Sequence, residues 1–375
     1  MNRRDDQPDR YHRQKLLPEF GESGHRAVRE TTALLVGCGA LGSVIADQLC
    51  RAGIGRLILA DRDLVELTNL QRQVLFDEHD VAQALPKAIA AKKRLEQINR
   101  EVEIEAHVSD VRAESIVPLL SGADLILDGL DNYETRYLLN DVAVACGLPY
   151  VYGGAIGTTG MSMTILPRAA AVRHHSPRRI TWDDGTATPC LRCLFPDMPA
   201  PGSMPTCDTA GVLGAAVNVI ASHQVAQAMK LITGRFDRLD RSLYTVDLWA
   251  NTTRRMSRPA PNADCPCCAR GQFDWLDRSP AQSGQTTTLC GRGAVQVMPA
   301  PAGANAVDLA ALADRLAAHG TFSMNEFLLR GRLAGETGEG GGTVEMTLFP
   351  DGRAIIHGIS DPQRARSIYS RYIGA

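Results

Sequence analysis

The chain has 375 residues, 44% of them hydrophobic and 22% charged, with a formal net charge of −2. That length holds one large domain and a small one, and the composition is ordinary for a soluble globular protein. The near-zero charge excludes a general nucleic-acid binder, which needs a strongly basic surface.

Residues 1–15, MNRRDDQPDRYHRQK, are charged throughout, so no signal peptide is expected and a cytoplasmic location is. In that compartment ten cysteines read as thiols or metal ligands and not as disulfides. TALLV (32–36) is an apolar run of the kind buried on both faces of a parallel sheet. The helix after it carries Leu41, Val44, Ile45 and Leu49 on one face. RLILAD is the next strand. A helix over about 86–98 opens at Pro86, where the missing N–H costs nothing. EVEIEAHV alternates as a less buried strand does, ADLILDGLD is a buried strand, and a helix follows over about 136–146. PYVYGG and MSMTIL add two strands. Residues 167–206 are irregular. The apolar run 211–233 contains His223, Gln224, Gln227 and Lys230, so it reads as a buried helix and no membrane span is expected. SLYTVDL is a further strand. Beyond a Cys-containing linker, DLAALADRLAAH is helical, TVEMTLFPDGRAIIHG is a hairpin turning at Pro-Asp-Gly, and DPQRARSIYSRYI is an amphipathic helix.

The βαβαβ rhythm predicts an α/β fold: a doubly wound, mostly parallel Rossmann-like sheet with a structural zinc site and a small C-terminal α/β unit. The expected organisation is a nucleotide-binding domain over 1–275, a linker over 276–289 and the small unit over 290–375. Ligands then sit at the carboxyl ends of the strands, where Gly37, Asp61 and Asp131 fall.

Gly37, Gly39 and Gly42 form a Gly-x-Gly-x-x-Gly turn between strand and helix, which lets backbone approach a phosphate at a helix N-terminus. Asp61 follows 19 residues later, placed to accept hydrogen bonds from ribose hydroxyls. Alone this pattern fits NAD as well as ATP. Asn69, Arg72 and Lys87 then supply polar and cationic side chains that the two phosphates of NAD do not require. ATP carries about four charges, and attack at its α-phosphate builds more on the departing pyrophosphate, which calls for cationic clamps and a metal ion. Asp131 is placed to hold Mg²⁺. An NAD(P)-dependent oxidoreductase with a structural zinc is one rival reading, and a non-catalytic scaffold of the same fold is another.

RYHRQKLLPEFG, VGCGALGS, DLVELTNLQRQVLF, DGLDNYETRYLLN and TCDTAGVLG resemble the ThiF/MoeB/HesA family, bacterial relatives of the ubiquitin-activating enzymes. The resemblance runs from about Tyr11 to Cys268. It implies an ATP-dependent adenylyltransferase that activates the C-terminal Gly-Gly carboxylate of a small ubiquitin-like sulfur carrier protein. By motif, it implies Arg13, Arg72, Lys87 and Asp131 as the catalytic set. Asn69, Gln71 and Asn132 fall with the nucleotide, and Asp61 on the ribose. Ala40 stands where many relatives have Gly, and a backbone contact there survives. The arginine matching Arg13 reaches into a partner subunit's site in the family, which implies a homodimer. A terminal carboxylate, with a pKa of about 3.5, is already ionised and needs no general base. That agrees with the absence of a Ser-His-Asp pattern near these motifs.

Cys190-Leu-Arg-Cys193 and Cys265-Pro-Cys-Cys268 are two knuckles, each presenting two thiolates on a tight turn. Together they suit a closed tetrahedral Zn²⁺ site with a structural role. The spacing favours Cys265 with Cys268 over Cys267. Cys207 precedes the long helix, where the helix N-terminus lowers a thiol pKa. The resemblance implies that a cysteine there can bond covalently to the activated carrier. Cys38, Cys50 and Cys146 read as packing residues. The basic loop with Arg168, Arg173, His174, His175, Arg178 and Arg179 reads as a solvated loop. Cys290 in LCGRGAV is a weak candidate for sulfur transfer, and the small unit reads better as an interaction module.

Overall fold

The structure, a computed structural model, describes residues 9–173, 180–199, 210–256, 261–278, 286–289, 293–298 and 307–373. The chain divides into two compact units, residues 1–277 and 278–375.

The first unit is built on an eight-stranded sheet. Its strands are β1 (Thr32–Val36), β2 (Arg56–Ala60), β3 (Glu103–His107), β4 (Leu125–Asp128), β5 (Tyr150–Ile156), β6 (Thr159–Ile165), β7 (Leu243–Asp247) and β8 (Thr252–Met256), in the order β3-β2-β1-β4-β5-β6-β7-β8. The first five strands are parallel, and β6, β7 and β8 are added antiparallel. β1 and β4 are central and buried, whereas β3, at the edge, buries only Ile104. That difference follows from apolar runs needing cover on both faces. Register is what builds the site. Val36 lies opposite both Ala60 and Asp128, so the three strands end level, and Gly37, Asp61 and Gly129 emerge side by side.

The helix Ala40–Ala52 buries Leu41, Val44, Ile45 and Leu49 and ends on Gly53 in the left-handed region, where glycine avoids a Cβ clash. The helix Lys87–Ile98 is capped at Pro86. The helix Tyr133–Cys146 starts three residues before its expected start, because the Asn132 side chain accepts the Thr135 N–H. The helix Gly214–Ile232 packs on β5, β6 and the helix Ala40–Ala52. No helix among the described residues is long and apolar enough to cross a membrane.

The second unit has a six-stranded antiparallel sheet of β9 (Thr286–Leu289), β10 (Ala294–Val297), β11 (Gly320–Met324), β12 (Leu329–Thr337), β13 (Thr343–Leu348) and β14 (Ala354–His357). The order is β11-β12-β13-β14-β10-β9. Thr286–Leu289 falls in the expected linker but pairs with β10. The helices Leu309–Leu316 and Pro362–Tyr372 place Leu312, Leu316, Ile368 and Tyr369 in a core with Val295, Leu329, Val344, Met346 and Ile356. The hairpin β13–β14 turns at Gly352, φ +83°.

Candidate functional site

The turn after β1 is shaped by three glycines in contact. Gly37 has φ +90°, and a Cβ there would meet the Gly129 carbonyl oxygen at 2.6 Å. A Cβ on Gly42 would collide with the Gly37 carbonyl. Gly129, which the sequence reading does not single out, closes the same turn from β4 and donates its N–H to Val36 at 2.8 Å. The Gly39 carbonyl accepts the Ser43 N–H at 2.9 Å. The helix N-terminus at Ala40 is thus open to the kind of anion contact that such a turn can make.

Asp61 braces this turn. Its carboxylate accepts the Cys38 N–H at 2.6 Å and the Asp63 N–H at 2.7 Å. Burial pushes its carboxyl above the usual range, and Lys87 opposes that shift. Lys87 is buried, and its Nζ donates to the Asp63 carboxylate at 3.1 Å. Its backbone N–H donates to the Asp63 carbonyl at 2.8 Å. Asp63 therefore joins the proposed ribose acid to the proposed phosphate lysine, a link the sequence reading lacked. Arg62 pairs with Asp110 at 2.8 Å and lies within the electrostatic reach of Asp131.

Asn69 is buried in the 3₁₀ turn Leu67–Asn69, where its side chain accepts the Glu66 N–H at 3.2 Å. Arg72 is half-exposed, and its Nη1 donates to the Thr68 carbonyl at 2.9 Å. Gln71 is exposed. A Cβ on Gly214 would lie 3.3 Å from the Gln71 carbonyl oxygen and 3.7 Å from the Arg72 Cβ, so the long helix begins against this segment. Gln73 is buried with its side chain 3.8 Å from where a Gly39 Cβ would sit, and its side-chain oxygen accepts no hydrogen bond from the described residues. The alternation of the segment hid Gln73 among surface polar residues. Asp131 is exposed in the loop after β4, three residues past the strand end at Asp128 and not at the strand end itself. Arg13 is exposed on the short helix His12–Lys15. No hydrogen bond or ion pair among the described residues joins its side chain to the nucleotide residues. Cys207, Cys290, His174, His175, Arg178 and Arg179 lie outside the described residues. Arg173 is not simply solvated: it pairs with Asp277 at 2.8 Å and covers the Phe273 ring at 4.4 Å.

The four predicted metal cysteines come together. Cys190, Cys193, Cys265 and Cys268 place their sulfurs within 4.8 Å of one another. The separations are 3.8 Å for Cys190–Cys193, 3.6 Å for Cys190–Cys265 and 3.4 Å for Cys193–Cys268. A tetrahedral Zn–S₄ centre with bonds of 2.3 Å has edges of about 3.8 Å, so the donor set fits Zn²⁺. Cys267 is not one of these four, and its sulfur accepts the Asn140 amide at 3.3 Å. The same Asn140 accepts the Leu191 N–H at 2.7 Å, fastening both knuckles to the helix Tyr133–Cys146. Cys38 and Cys50 are buried packing thiols, and burial pushes Cys50 up to about 11.

The first unit is thus a mostly parallel α/β fold in which a glycine turn follows β1, Asp61 follows β2, and the buried Lys87 opens a helix joined to the Asp61 segment through Asp63. The ThiF family model matches residues 11–267, and the chain belongs to the ThiF family. It is 39% identical to the sulfur carrier protein ThiS adenylyltransferase of Bacillus subtilis, over 97% of this chain and 99% of that protein. It is 37% identical to the sulfur carrier protein adenylyltransferase of Thermus thermophilus, over 69% of this chain and 90% of that one. The fold is also that of crystalline E. coli MccB with ATP, with a TM-score of 0.56 at 20% identity over 69% of this chain and 74% of that chain. The match to the Bacillus protein extends through the second unit, whereas the Thermus match covers a length like that of the first unit alone.

Proposed function

We propose that the protein is an ATP-dependent adenylyltransferase that activates the C-terminal Gly-Gly carboxylate of a small ubiquitin-like sulfur carrier protein, releasing pyrophosphate. The observation that carries this reading is the buried Lys87, held by Asp63 beside Asp61 and the glycine turn. A cation kept in a low-dielectric edge answers a polyphosphate, and a nicotinamide dinucleotide gives it no task.

The helix N-terminus at Ala40 and the backbone of Gly37 and Gly39 receive the phosphates, Asp61 the ribose, and Asn69, Gln71 and Asn132 flank them. Lys87 and Arg72 meet charge developing on the departing pyrophosphate. Asp131 is the residue that would hold Mg²⁺, which neutralises phosphate oxygens when bound. The carrier's carboxylate attacks the α-phosphorus and the bond to pyrophosphate breaks. The carrier ends as an acyl adenylate, and no proton is transferred. Catalysis is then positioning and charge stabilisation. Arg13 completes the site of a second subunit in a homodimer. Zn²⁺ held by Cys190, Cys193, Cys265 and Cys268 fills all four positions with protein ligands and is structural. The Cys207 thiolate attacks the carbonyl of the carrier's acyl adenylate, forming a thioester as AMP leaves.

Incubating the protein with ATP, Mg²⁺ and a Gly-Gly carrier tests this. Intact mass spectrometry should show the carrier gaining one adenylyl group. A carrier lacking its last glycine should gain none, and equal labelling of both would refute recognition of the tail.

A further inference from the structure

The segment Leu125–Asp128 and the loop after it carry two carboxylates, Asp128 and Asp131, and their surroundings separate them. Asp128 is fully buried. One carboxylate oxygen accepts the Leu130 N–H at 2.9 Å. The other accepts the Tyr150 hydroxyl at 2.7 Å and the Arg136 Nε–H at 3.3 Å. Its backbone carbonyl accepts the Gln224 amide at 2.9 Å. A carboxylate already neutralised by a guanidinium and filled by three donors is a poor ligand for a second cation. Asp131, three residues on, is exposed.

Arg136 acts on the same loop from the other side. It is buried, and its Nη2 donates to the Leu130 carbonyl at 2.6 Å and to the Gly153 carbonyl at 2.8 Å. Its guanidinium also stands over the Tyr152 ring at 5.3 Å. Leu130 is therefore held at both its polar groups, its N–H by Asp128 and its C=O by Arg136. The peptide that follows is that of Asp131. Fixing it fixes the direction in which the Asp131 side chain leaves the loop.

We propose that Asp128 and Arg136 are a positioning pair, clamping Leu130 so that Asp131 meets a nucleotide-bound divalent cation in one pose. The inference rests on the reading of Asp131 as the metal residue. Neither member is a catalytic residue: both act through the backbone of Leu130, and Tyr150 keeps the Asp128 carboxylate in place. Partners that orient a metal ligand commonly change metal affinity by about 10–100-fold when removed.

The test is Mn²⁺ binding to the full chain with a non-hydrolysable ATP analogue, read from the spin-resonance signal of free Mn²⁺ below the melting temperature of each variant. Asp131→Asn should weaken Mn²⁺ by at least about tenfold. Asp128→Asn should weaken it by a similar factor, while the metal-free affinity for the analogue stays within about twofold. Arg136→Lys, which keeps the charge but loses the fork, should fall between Asp128→Asn and the wild type. Tyr150→Phe removes one hydrogen bond and serves where the other two fail to fold; a few-fold loss is expected. The clamp is overturned if Asp131→Asn loses Mn²⁺ while folded Asp128→Asn or Tyr150→Phe binds it as the wild type does. If Asp131→Asn itself binds Mn²⁺ normally, the reading of Asp131 fails and the clamp falls with it.

Discussion

Lys87 and Arg72 are both cations of the proposed site, but their surroundings predict different losses. Arg72 is half-exposed, and its side chain donates to the Thr68 carbonyl. Arg72→Ala should leave melting near normal and lower the adenylation rate by about 10²–10³, the usual loss for one transition-state contact. Lys87 is buried against Asp63. Lys87→Met should lower the rate similarly and also destabilise the fold by about 1–3 kcal/mol, because the Asp63 carboxylate loses a buried charged donor. Thermal melting beside single-turnover kinetics separates the two; an Arg72→Ala variant that keeps over half its rate would make that residue a surface charge. Of this arrangement, the placement of the glycines and Asp61 was legible because each follows a strand end, and Lys87 was read from its motif. Gln73, Asp63 and Gly129 were not, since their roles depend on which strands end level with one another. Nor could spacing tell Asp128 from Asp131; burial does.

At the scale of elements, the two knuckles and the helix Tyr133–Cys146 form one assembly through Asn140. Metal analysis should find one Zn²⁺ per chain. Stripping it should lower the melting temperature before it lowers the adenylation rate at 25 °C, since a site filled by four protein ligands leaves no position for substrate. Loss of rate with unchanged melting would contradict a structural role. The helix Gly214–Ile232 carries His223, stacked on Tyr244 at 4.4 Å and 3.6 Å from Asp240. Burial lowers the His223 pKa below 6.5, with Asp240 opposing. A depressed folded pKa gives stability that is present above the unfolded value of about 6.5 and is lost as pH falls through the folded one. Melting should therefore drop on acidification below about pH 6.5, and His223→Gln should flatten part of that slope. His25, lowered by burial in the same direction, accounts for a further part. An unchanged slope in His223→Gln would show that the histidine binds its proton equally in the folded and unfolded states. The helices and the parallel strands were legible from apolar periodicity. The start of the helix Tyr133–Cys146 was missed because Tyr133 and Glu134 are exposed and break the pattern. β11 and β12 went unread because Gly331, Gly335 and alternating arginines dilute their strand signal.

For the whole molecule, the first unit matches the family model and the second unit lies within the match to the Bacillus relative. The parallel half of the sheet could be read from the βαβ rhythm, because crossover helices leave a 3.6-residue signature. The antiparallel addition of β6, β7 and β8 could not, since pairing between distant strands leaves no local pattern. The homodimer reading makes a prediction of its own. Arg13→Ala and Arg72→Ala should each be inactive, yet mixing them with subunit exchange should restore about a quarter of wild-type activity, because half the dimers then hold one intact site. No recovery after demonstrated exchange would place Arg13 in its own subunit's site.

The central claim is that a carrier's terminal carboxylate attacks ATP on this edge of the sheet, and isotope exchange tests it most directly. Labelled pyrophosphate should enter ATP only when Mg²⁺ and a Gly-Gly carrier are both present, and Cys207→Ala should keep that exchange within a few-fold. Exchange without any carrier, or none with any carrier alongside tight binding of NADH, would contradict the account.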